Sequence, residues 1–311
     1  RGSPSYWKQM SMDMLAKIRH FGSYTFFITM SIADFHIPEI IKVVAQQYGT
    51  HLSKAEIFNM SWQQKRIWLM RNPVTAARHI DHIFGQIWKK CILSGLHPVG
   101  VILNWDGRGE TQIRGQFHTH NAVHCEGAPV LTEERDEEND RIVSDYAELY
   151  CHTSIPNKDE EPELNDLVIH RQTHHHTRSC KKNKKADCRH GYPKLPSDKT
   201  MVSRKLTGED GMKKTKWARE ILSKVMNVMK QSGTDIMLSE LLKEANVVKD
   251  DYEKASEISL KRTSIVLKRR PNETCINPYN PIILRAMRSN MDIQYITDVW
   301  ACIAYITSYM C

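Results

Sequence analysis

The sequence lacks any apolar run near the roughly 20 residues that a membrane-spanning helix needs, and no signal peptide opens it. Its eight cysteines follow no regular framework spacing. Without a secretion signal, this pattern favours reduced thiols, some of them metal ligands, over disulfides. No internal repeat is visible either. We therefore expect neither a membrane protein nor a secreted disulfide scaffold.

The 311 residues are enough for one large domain or two of ordinary size. Hydrophobic residues make up 41% of the chain, which excludes wholesale disorder. Because the chain begins at Arg1 and stops at Cys311 without a natural start or tail, we take it to be a piece of a longer protein.

The net charge of +8 is unevenly spread. Residues 126–166 hold 14 acidic and 3 basic side chains, a net of −11, so the other 270 residues carry +19. A body this basic suggests a polyanionic partner, with nucleic acid the first candidate. An ordinary soluble basic surface is the alternative.

Apolar patterning predicts an α+β fold, an antiparallel sheet flanked by helices. Strands are predicted at 24–31, 99–105 and 108–124 and in TSIVLKRRP, with a turn at Asp106, Gly107 and Gly109. Residues 110–124 are predicted as one bent strand or two short ones, with Gly115 at the bend. Helices are predicted from Pro38, over 73–93, mainly over 211–247, and over the apolar stretch 291–310. An exposed loop or helix start is predicted at 132–140 and a linker at 155–163.

Two histidines stand two residues apart in the strand-like fragment QFHTHNAV. On a strand, His118 and His120 point to one face, so they can form two corners of a metal site. Glu110 and Gln112 precede them on the adjacent antiparallel strand, and either could supply a third ligand. A pair of satisfied core histidines would give the same pattern.

Two tyrosines, Tyr305 and Tyr309, are spaced four apart in CIAYITSYM, so their side chains emerge on one helix face. Core packing is the ordinary explanation of such a pair. Beside a metal, a tyrosine hydroxyl is also a candidate nucleophile toward phosphate.

A basic module rich in cysteine and histidine spans about residues 150–196. Thiolate and imidazole ligands favour tetrahedral Zn²⁺. The expected zinc ligands are Cys151, His176, Cys180 and Cys188, with His174 competing for the place of His176. The lysines of RSCKKNKK are expected to contact phosphates, namely Lys181, Lys182, Lys184 and Lys185. A solvated basic loop with incidental cysteines is the alternative.

Four stretches follow one another along the chain, namely RGSPSYWKQ…FGSYTFFITMSIADF, ETQIRGQFHTHNAV…GAP, RQTHHHTRSCKKNKKADCRHGYP and LKRRPNETCINPYNPIILRAMRSNMDIQYITDVWACIAYITSYM. Together they resemble the Rep nuclease region of Helitron transposases, closest to the Helentron branch. That family consists of rolling-circle transposases of the HUH class, named for its histidine–hydrophobic–histidine motif. The sequence departs from the family at Phe117, where proline is usual, and at Thr119, where a hydrophobic residue is usual. A strand accepts both residues.

The resemblance implies an HUH nuclease fold with a central antiparallel sheet. Residues 1–125 would form its first part, 126–200 an acidic linker and Cys/His zinc insert, and 201–311 a helical part carrying the tyrosines. It also implies a nuclear protein of a eukaryotic transposon, whose full length continues into a helicase domain that this chain lacks.

The implied activity is metal-dependent cleavage of single-stranded DNA at transposon ends and target. A tyrosine would form a 5′-phosphotyrosine and leave a free 3′-hydroxyl, and the reverse reaction would rejoin strands. By this resemblance His118 and His120 bind Mg²⁺ or Mn²⁺, with Gln112 the first choice for third ligand and Glu110 the second.

The resemblance makes Tyr305 and Tyr309 the two nucleophiles, and we expect Tyr309 to act first. Tyr295 is the next candidate if neither reacts. Arg114 is a candidate phosphate contact or an ordinary surface arginine. The alternatives are a non-catalytic zinc-containing DNA-binding module from a decayed element, and a metal-dependent hydrolase that uses water.

Overall fold

The protein has a mixed α+β architecture. The computed structural model describes residues 4–32, 37–111, 117–181, 183, 187–232 and 236–308. The strands are β1 (Phe26–Ser31), β2 (Ile102–Thr111), β3 (Phe117–Cys125), β4 (Met201–Ser203), β5 (Ser264–Val266) and β6 (Met291–Tyr295). The helices are α1 (Pro4–Phe21), α2 (Pro38–Gln47), α3 (Lys54–Asn59), α4 (Trp62–Arg71), α5 (Pro73–Ile87), α6 (Glu137–Tyr150), α7 (Pro162–Leu167), α8 (Gly208–Ser232), α9 (Leu238–Glu244), α10 (Lys249–Ser256), α11 (Pro281–Met287) and α12 (Val299–Ser308). Within these ranges, no helix is both long and apolar enough to cross a membrane.

Four strands form an antiparallel sheet in the order β2-β3-β1-β6. β4 and β5 pair separately. The central position of β1 follows from its sequence FFITMS, whose aromatic and β-branched residues suit a strand buried on both sides. The predicted antiparallel sheet flanked by helices is therefore confirmed.

The two faces of the sheet are covered differently. One face is apolar and packs against α2, α5, α6 and α11 in the main core, to which β1 contributes Phe26, Ile28 and Met30. The other face meets α1 and α12 in a smaller core that includes Met14 and Ile303. Because side chains alternate along a strand, the histidines of β3 lie on this second, more polar face. A third core holds α8, α9 and α10 together.

The predicted helix over 291–310 is wrong in its first part. Residues 291–295 form β6, the edge strand beside β1, and α12 begins only at Val299. Met291, Ile293 and Tyr295 are buried while Gln294 is exposed, which is the alternation of a strand. Because the whole stretch is apolar, the change from the two-residue period of a strand to the 3.6-residue period of a helix is not visible in the sequence.

The predicted turn at 106–109 is also wrong, because β2 runs unbroken through these residues. Gly107 and Gly109 serve close packing: a Cβ at Gly107 would lie 2.5 Å from Asn121 Oδ1, and one at Gly109 would lie 2.5 Å from Phe117 Cζ. Glycine in a strand often marks such close approach and not a turn. The predicted bend at Gly115 lies outside the described residues.

Several of the other secondary-structure predictions are confirmed. Pro38 stands in the first turn of α2. The predicted helix over 73–93 is α5 followed by a π-helix at Trp88–Ile92, and Asn72 caps it by accepting from Thr75 N–H. The short strand in TSIVLKRRP is β5. Every cysteine among the described residues is free.

Candidate functional site

The sheet places His118 and His120 side by side on β3, facing polar residues of both neighbouring strands. In β1, Ser31 is directly opposite His118 and Thr29 is opposite His120. In β2, Glu110 is directly opposite His118. Directly opposed residues of antiparallel strands share a face of the sheet, so these five side chains converge on one area.

Each histidine has a hydroxyl beside its Nδ1 atom. Ser31 Oγ lies 2.9 Å from His118 Nδ1, and Thr29 Oγ1 lies 3.1 Å from His120 Nδ1. When Nδ1–H donates to the hydroxyl oxygen, Nε2 carries the lone pair, and this is the tautomer in which Nε2 binds a metal. In that tautomer, Nε2 of both imidazoles would be the atom available to bind a metal.

Glu110 adds an oxygen ligand to the two imidazoles. Its Oε2 lies 3.0 Å from His120 Nε2. His118 Nε2 is buried and has no hydrogen-bond partner among the described residues. Two imidazole nitrogens and one carboxylate oxygen form a donor set that fits a divalent metal such as Mn²⁺.

Burial lowers the pKa of His118, and the neighbouring His120 lowers it further, while Glu110 acts in the opposite direction. The neutral imidazole is thus favoured at neutral pH. Since only the neutral form has a lone pair to give, the environment of His118 favours the metal-binding state.

Tyr305 lies next to this pair. Its ring meets the His120 ring edge to face at 5.4 Å and the Phe27 ring at 5.3 Å, measured between centroids. The residue is 38% exposed. Its helix, α12, is fixed to the sheet by Ile303 and Ile306, which are buried in the smaller core. The predicted tyrosine helix therefore brings Tyr305 to the histidines.

Several sequence candidates lie outside the described residues, namely Tyr309, Gln112, Arg114, Lys182, Lys184 and Lys185. Glu110, the second choice for third ligand, is the one that the described structure brings to His120. Tyr295, the reserve nucleophile, is buried on the apolar face of the sheet, and its hydroxyl donates to Pro129 O. That position argues against a role for Tyr295.

A third histidine of the fragment, His124, has a structural role. It is 1% exposed, its Nε2 lies 3.1 Å from Gly22 O, and its ring packs 3.9 Å from the ring of Tyr24. Tyr24 in turn donates to Asp106 Oδ2 at 2.6 Å. Burial and the Asp106 hydrogen bond raise the pKa of the Tyr24 hydroxyl, which keeps it a neutral donor.

A second cluster consists of His174, His176, Cys180 and Cys188, whose ligand atoms all lie within 4.8 Å of one another. Cys188 Sγ is 3.4 Å from His174 Nε2, and Cys180 Sγ is 3.7 Å from His176 Nδ1. Two thiols and two imidazoles could hold a metal such as zinc.

Cys151 is not in this cluster, so its prediction as a ligand is wrong. It follows the last residue of α6 and is 4% exposed within the main hydrophobic core. Burial raises the pKa of its thiol, which suits a packed, protonated side chain. His174, predicted only as an alternative to His176, lies in the cluster together with His176 and so replaces Cys151 as the fourth potential ligand.

The cluster favours the forms that bind metal. Burial, then the neighbouring His176, lowers the pKa of His174 to about 4. Burial acts to raise the pKa of the Cys188 thiol, but backbone N–H groups of Tyr192 and His190, a hydrogen bond with Cys180 and the charge of Lys181 together leave that pKa below its usual value. Lys181 lies beside the cluster and lowers the pKa of His176 after burial does.

Sequence reasoning missed Ser31 and Thr29. The fragment FITMS predicts a buried strand, and its two hydroxyl residues are spaced two apart, as the histidines are. That matching spacing was the available signal, because two adjacent antiparallel strands in register pair such residues one to one.

Residues 1–123 match the family model described as the Helitron helicase-like domain at the N-terminus. The matched part includes the facing histidines and hydroxyls of β3 and β1, and it ends before the Cys/His cluster and Tyr305. No curated protein matches the chain.

Proposed function

Because this is a Helitron-related protein, we propose that it is a rolling-circle transposase nuclease that nicks and rejoins single-stranded DNA through a tyrosine. The observation that carries the proposal is the convergence of His118, His120, Glu110 and the ring of Tyr305 on one face of the sheet. Histidine pairing alone would suit a satisfied core, but a carboxylate and a half-exposed tyrosine beside it suit phosphoryl transfer.

In this proposal His118, His120 and Glu110 hold Mg²⁺ or Mn²⁺, and the fold is of the HUH type. A metal bound there supplies positive charge to a phosphate oxygen. Ser31 and Thr29 fix the imidazole rings through Nδ1. The edge-on packing of Tyr305 against Phe27 and His120 restrains its ring, so that little conformational freedom is lost when its oxygen reacts.

The chemical step is a displacement at phosphorus. The Tyr305 oxygen attacks the phosphorus of the scissile phosphodiester and loses its proton, while the bond from phosphorus to the 3′ oxygen breaks. The departing 3′ oxygen takes up a proton and becomes a 3′-hydroxyl, and the 5′-phosphate remains esterified to the tyrosine. Attack by a 3′-hydroxyl on this ester reverses the step and joins strands.

We place Tyr305 first, in place of the expected Tyr309, because its ring lies beside His120. Tyr309, four residues further along the sequence, is proposed to serve a second strand. The Cys/His cluster is proposed to bind structural zinc within an insert at residues 126–200. Basic residues outside the acidic stretch are proposed to contact phosphates, because they carry the positive charge of the chain.

The deciding experiment incubates the chain with labelled single-stranded DNA and Mn²⁺, followed by a denaturing gel. We expect a covalent protein–DNA band with wild type and none with Tyr305→Phe/Tyr309→Phe. The double variant keeps both rings and lacks only their oxygens, so it is the matched control for packing. Of the two single variants, we expect one to lose most first-strand cleavage.

The same gel separates the alternatives. Free nicked DNA without a covalent band would indicate a hydrolase that uses water. DNA binding without any cleavage would indicate a non-catalytic module. His118→Ala and His120→Ala should abolish the band while most DNA binding remains, because phosphate contacts come from elsewhere. Full cleavage by both histidine variants would contradict the metal assignment.

A further inference from the structure

Helices α3 and α4 expose large rings and an apolar side chain at the surface. Phe58 is 74% exposed, Trp62 is 54% exposed and Met70 is 64% exposed. Trp62, Arg66 and Met70 are spaced four apart on α4, so they lie along one face of that helix. We call Phe58, Trp62, Lys65, Arg66 and Met70 the aromatic patch.

The patch lies in an acid-free part of the chain. Residues 57–80 contain four basic residues and no aspartate or glutamate. The nearest preceding acid, Glu56, is turned toward the start of α3, where its Oε2 accepts from Ser53 N–H at 2.7 Å and from the Ser53 hydroxyl at 2.6 Å. The local charge therefore complements a polyanion.

Each exposed ring has a cation next to it. Lys65 Nζ lies 5.7 Å from the centroid of the Phe58 ring, and the Arg66 guanidinium lies 5.4 Å from the centroid of the Trp62 ring. Cation–ring pairs alone are common on protein surfaces. Two large rings exposed by more than half, each beside a cation and both in a stretch of sequence without acids, are the combination that binds stacked bases and their phosphates.

The patch is held firmly from below. Ile57 and Leu69 anchor α3 and α4 in the main core. Ser61 and Gln64 form a reciprocal cap at the start of α4, with Ser61 N–H donating to Gln64 Oε1 at 2.7 Å. A rigid platform loses little entropy when a ligand settles on it.

The patch is separate from the histidine site. α4 packs beside α2 and α5, on the apolar side of the sheet, whereas His118 and His120 face the other side. α5 links the two regions, because Phe84 meets Phe117, the residue before His118, at a centroid distance of 5.5 Å. DNA on the patch would therefore leave the histidine site open.

We propose that the aromatic patch binds single-stranded DNA, with bases stacked on Phe58 and Trp62 and phosphates on Lys65 and Arg66. Single strands fit because a duplex hides the flat faces of its bases within its own stack. The identity of the ligand rests on the function proposed above, whereas the stacking surface rests on α3 and α4 alone.

The test measures fluorescence anisotropy of a labelled mixed-sequence oligodeoxynucleotide with the whole chain in EDTA. Phe58→Ala/Trp62→Ala should weaken binding by about 10-fold or more, since stacking of bases on aromatic rings contributes much of the affinity for single strands. Lys65→Gln/Arg66→Gln should weaken binding and make the salt dependence shallower. Met212→Ala is the matched control, because Met212 is 66% exposed on α8, and it should bind as wild type.

An abasic oligonucleotide of the same length isolates stacking. Wild type and Phe58→Ala/Trp62→Ala should bind it equally, because it offers phosphates and no bases. Unchanged binding of the normal strand by the ring variant, or an equal loss with the abasic strand, would overturn the proposal. So would sedimentation showing that wild type self-associates through these rings, or vesicle binding that the ring variant loses.

The covalent protein–DNA band in Mn²⁺ tests the nuclease proposal separately. If wild type forms this band and Phe58→Ala/Trp62→Ala binds DNA as wild type does, only the stacking proposal is contradicted. If binding in EDTA depends on the two rings but no covalent band forms, only the nuclease proposal is contradicted.

Discussion

At the scale of single residues, the site depends on pairs that span two strands. Thr29 and Ser31 contact the Nδ1 atoms of His120 and His118 and are not themselves proposed as metal ligands. A hydroxyl that accepts from Nδ1–H would leave Nε2 of that ring as the ligand atom. Such outer partners commonly matter about 10–100-fold for metal affinity.

Replacing Thr29 with valine should therefore weaken Mn²⁺ binding by about 10-fold or more. Valine keeps the branched shape and removes only the hydroxyl beside His120 Nδ1. Titration calorimetry of the whole chain with Mn²⁺ measures this directly. Thr29→Ser keeps the hydroxyl and should bind nearly as wild type. Equal Mn²⁺ affinity in Thr29→Val and wild type would show that the hydroxyl does not orient the ring.

At the scale of elements, the glycines of β2 allow neighbouring side chains to pack closely against this strand. Gly107→Ala should destabilise the protein by about 1–3 kcal/mol, because its Cβ would lie 2.5 Å from Asn121 Oδ1 and 2.8 Å from the Trp105 ring. Gly85→Ala is the matched control: it lies within α5 with nothing within 4 Å, and alanine there should stabilise the helix by about 0.5–1 kcal/mol. Urea unfolding compares both with wild type. A neutral Gly107→Ala would mean that β2 can shift to accommodate the methyl group.

The edge strand β6 carries Asp292, whose carboxyl group is costly to ionise because burial penalises its charged form. Asp292 is directly opposite Thr29, and burial raises its pKa to about 6, against a hydrogen bond from Gln294 and the charge of Lys194. The folded chain thus holds this proton up to a higher pH than the unfolded chain, whose aspartate pKa is about 3.9. The contribution of Asp292 to the free energy of unfolding is therefore fully present below about pH 4, where the carboxyl is protonated in both states. It is lost as pH rises through about 6, where the folded chain must bury the charged carboxylate.

Asp292→Asn removes that penalty and should raise stability at pH 8 by up to about 3 kcal/mol, with the gain shrinking toward pH 5. Urea midpoints at the two pH values give the comparison. Asp81→Asn, on the exposed side of α5, is the control for the same substitution at a surface position. A gain for Asp292→Asn that is equal at both pH values would point to packing and not to charge.

The elements also show what the sequence could predict. β1, α2 and α5 were predictable because their apolar period and their proline or asparagine starts agree with each other. β6 was not, because strand and helix share one apolar stretch and only the alternation of five residues separates them. At the site, His118 and His120 followed from strand geometry, whereas Thr29 and Ser31 required the register between strands.

At the scale of the whole molecule, the segment that holds the Cys/His cluster is tied to the chain just before α11. His174 N–H donates to Cys275 O at 2.7 Å, and Lys194 N–H donates to Thr274 O at 2.8 Å. Within the segment, the ring of Tyr192 stacks on His174 at 4.5 Å. The backbone ties hold its two ends, so a metal at the cluster would fix the residues between them.

Cys151 shows why the ligand set could not be read from spacing. A set of four donors was expected from the order of cysteines and histidines, but Cys151 closes α6 and packs into the main core. Tertiary packing decided the choice between Cys151 and His174, and no local pattern reports it.

Purified protein should accordingly hold about one Zn²⁺ per chain. Cys180→Ser, Cys188→Ser and His174→Ala should each lose it, because a closed site with three ligands binds zinc far more weakly than one with four. Cys151→Ser is the matched control, since it removes a thiol of similar burial from outside the cluster and should keep the zinc. Metal analysis of the folded proteins, checked by circular dichroism, gives the answer. Zinc lost from Cys151→Ser and kept by His174→Ala would restore the set expected from spacing and contradict the geometry of the cluster.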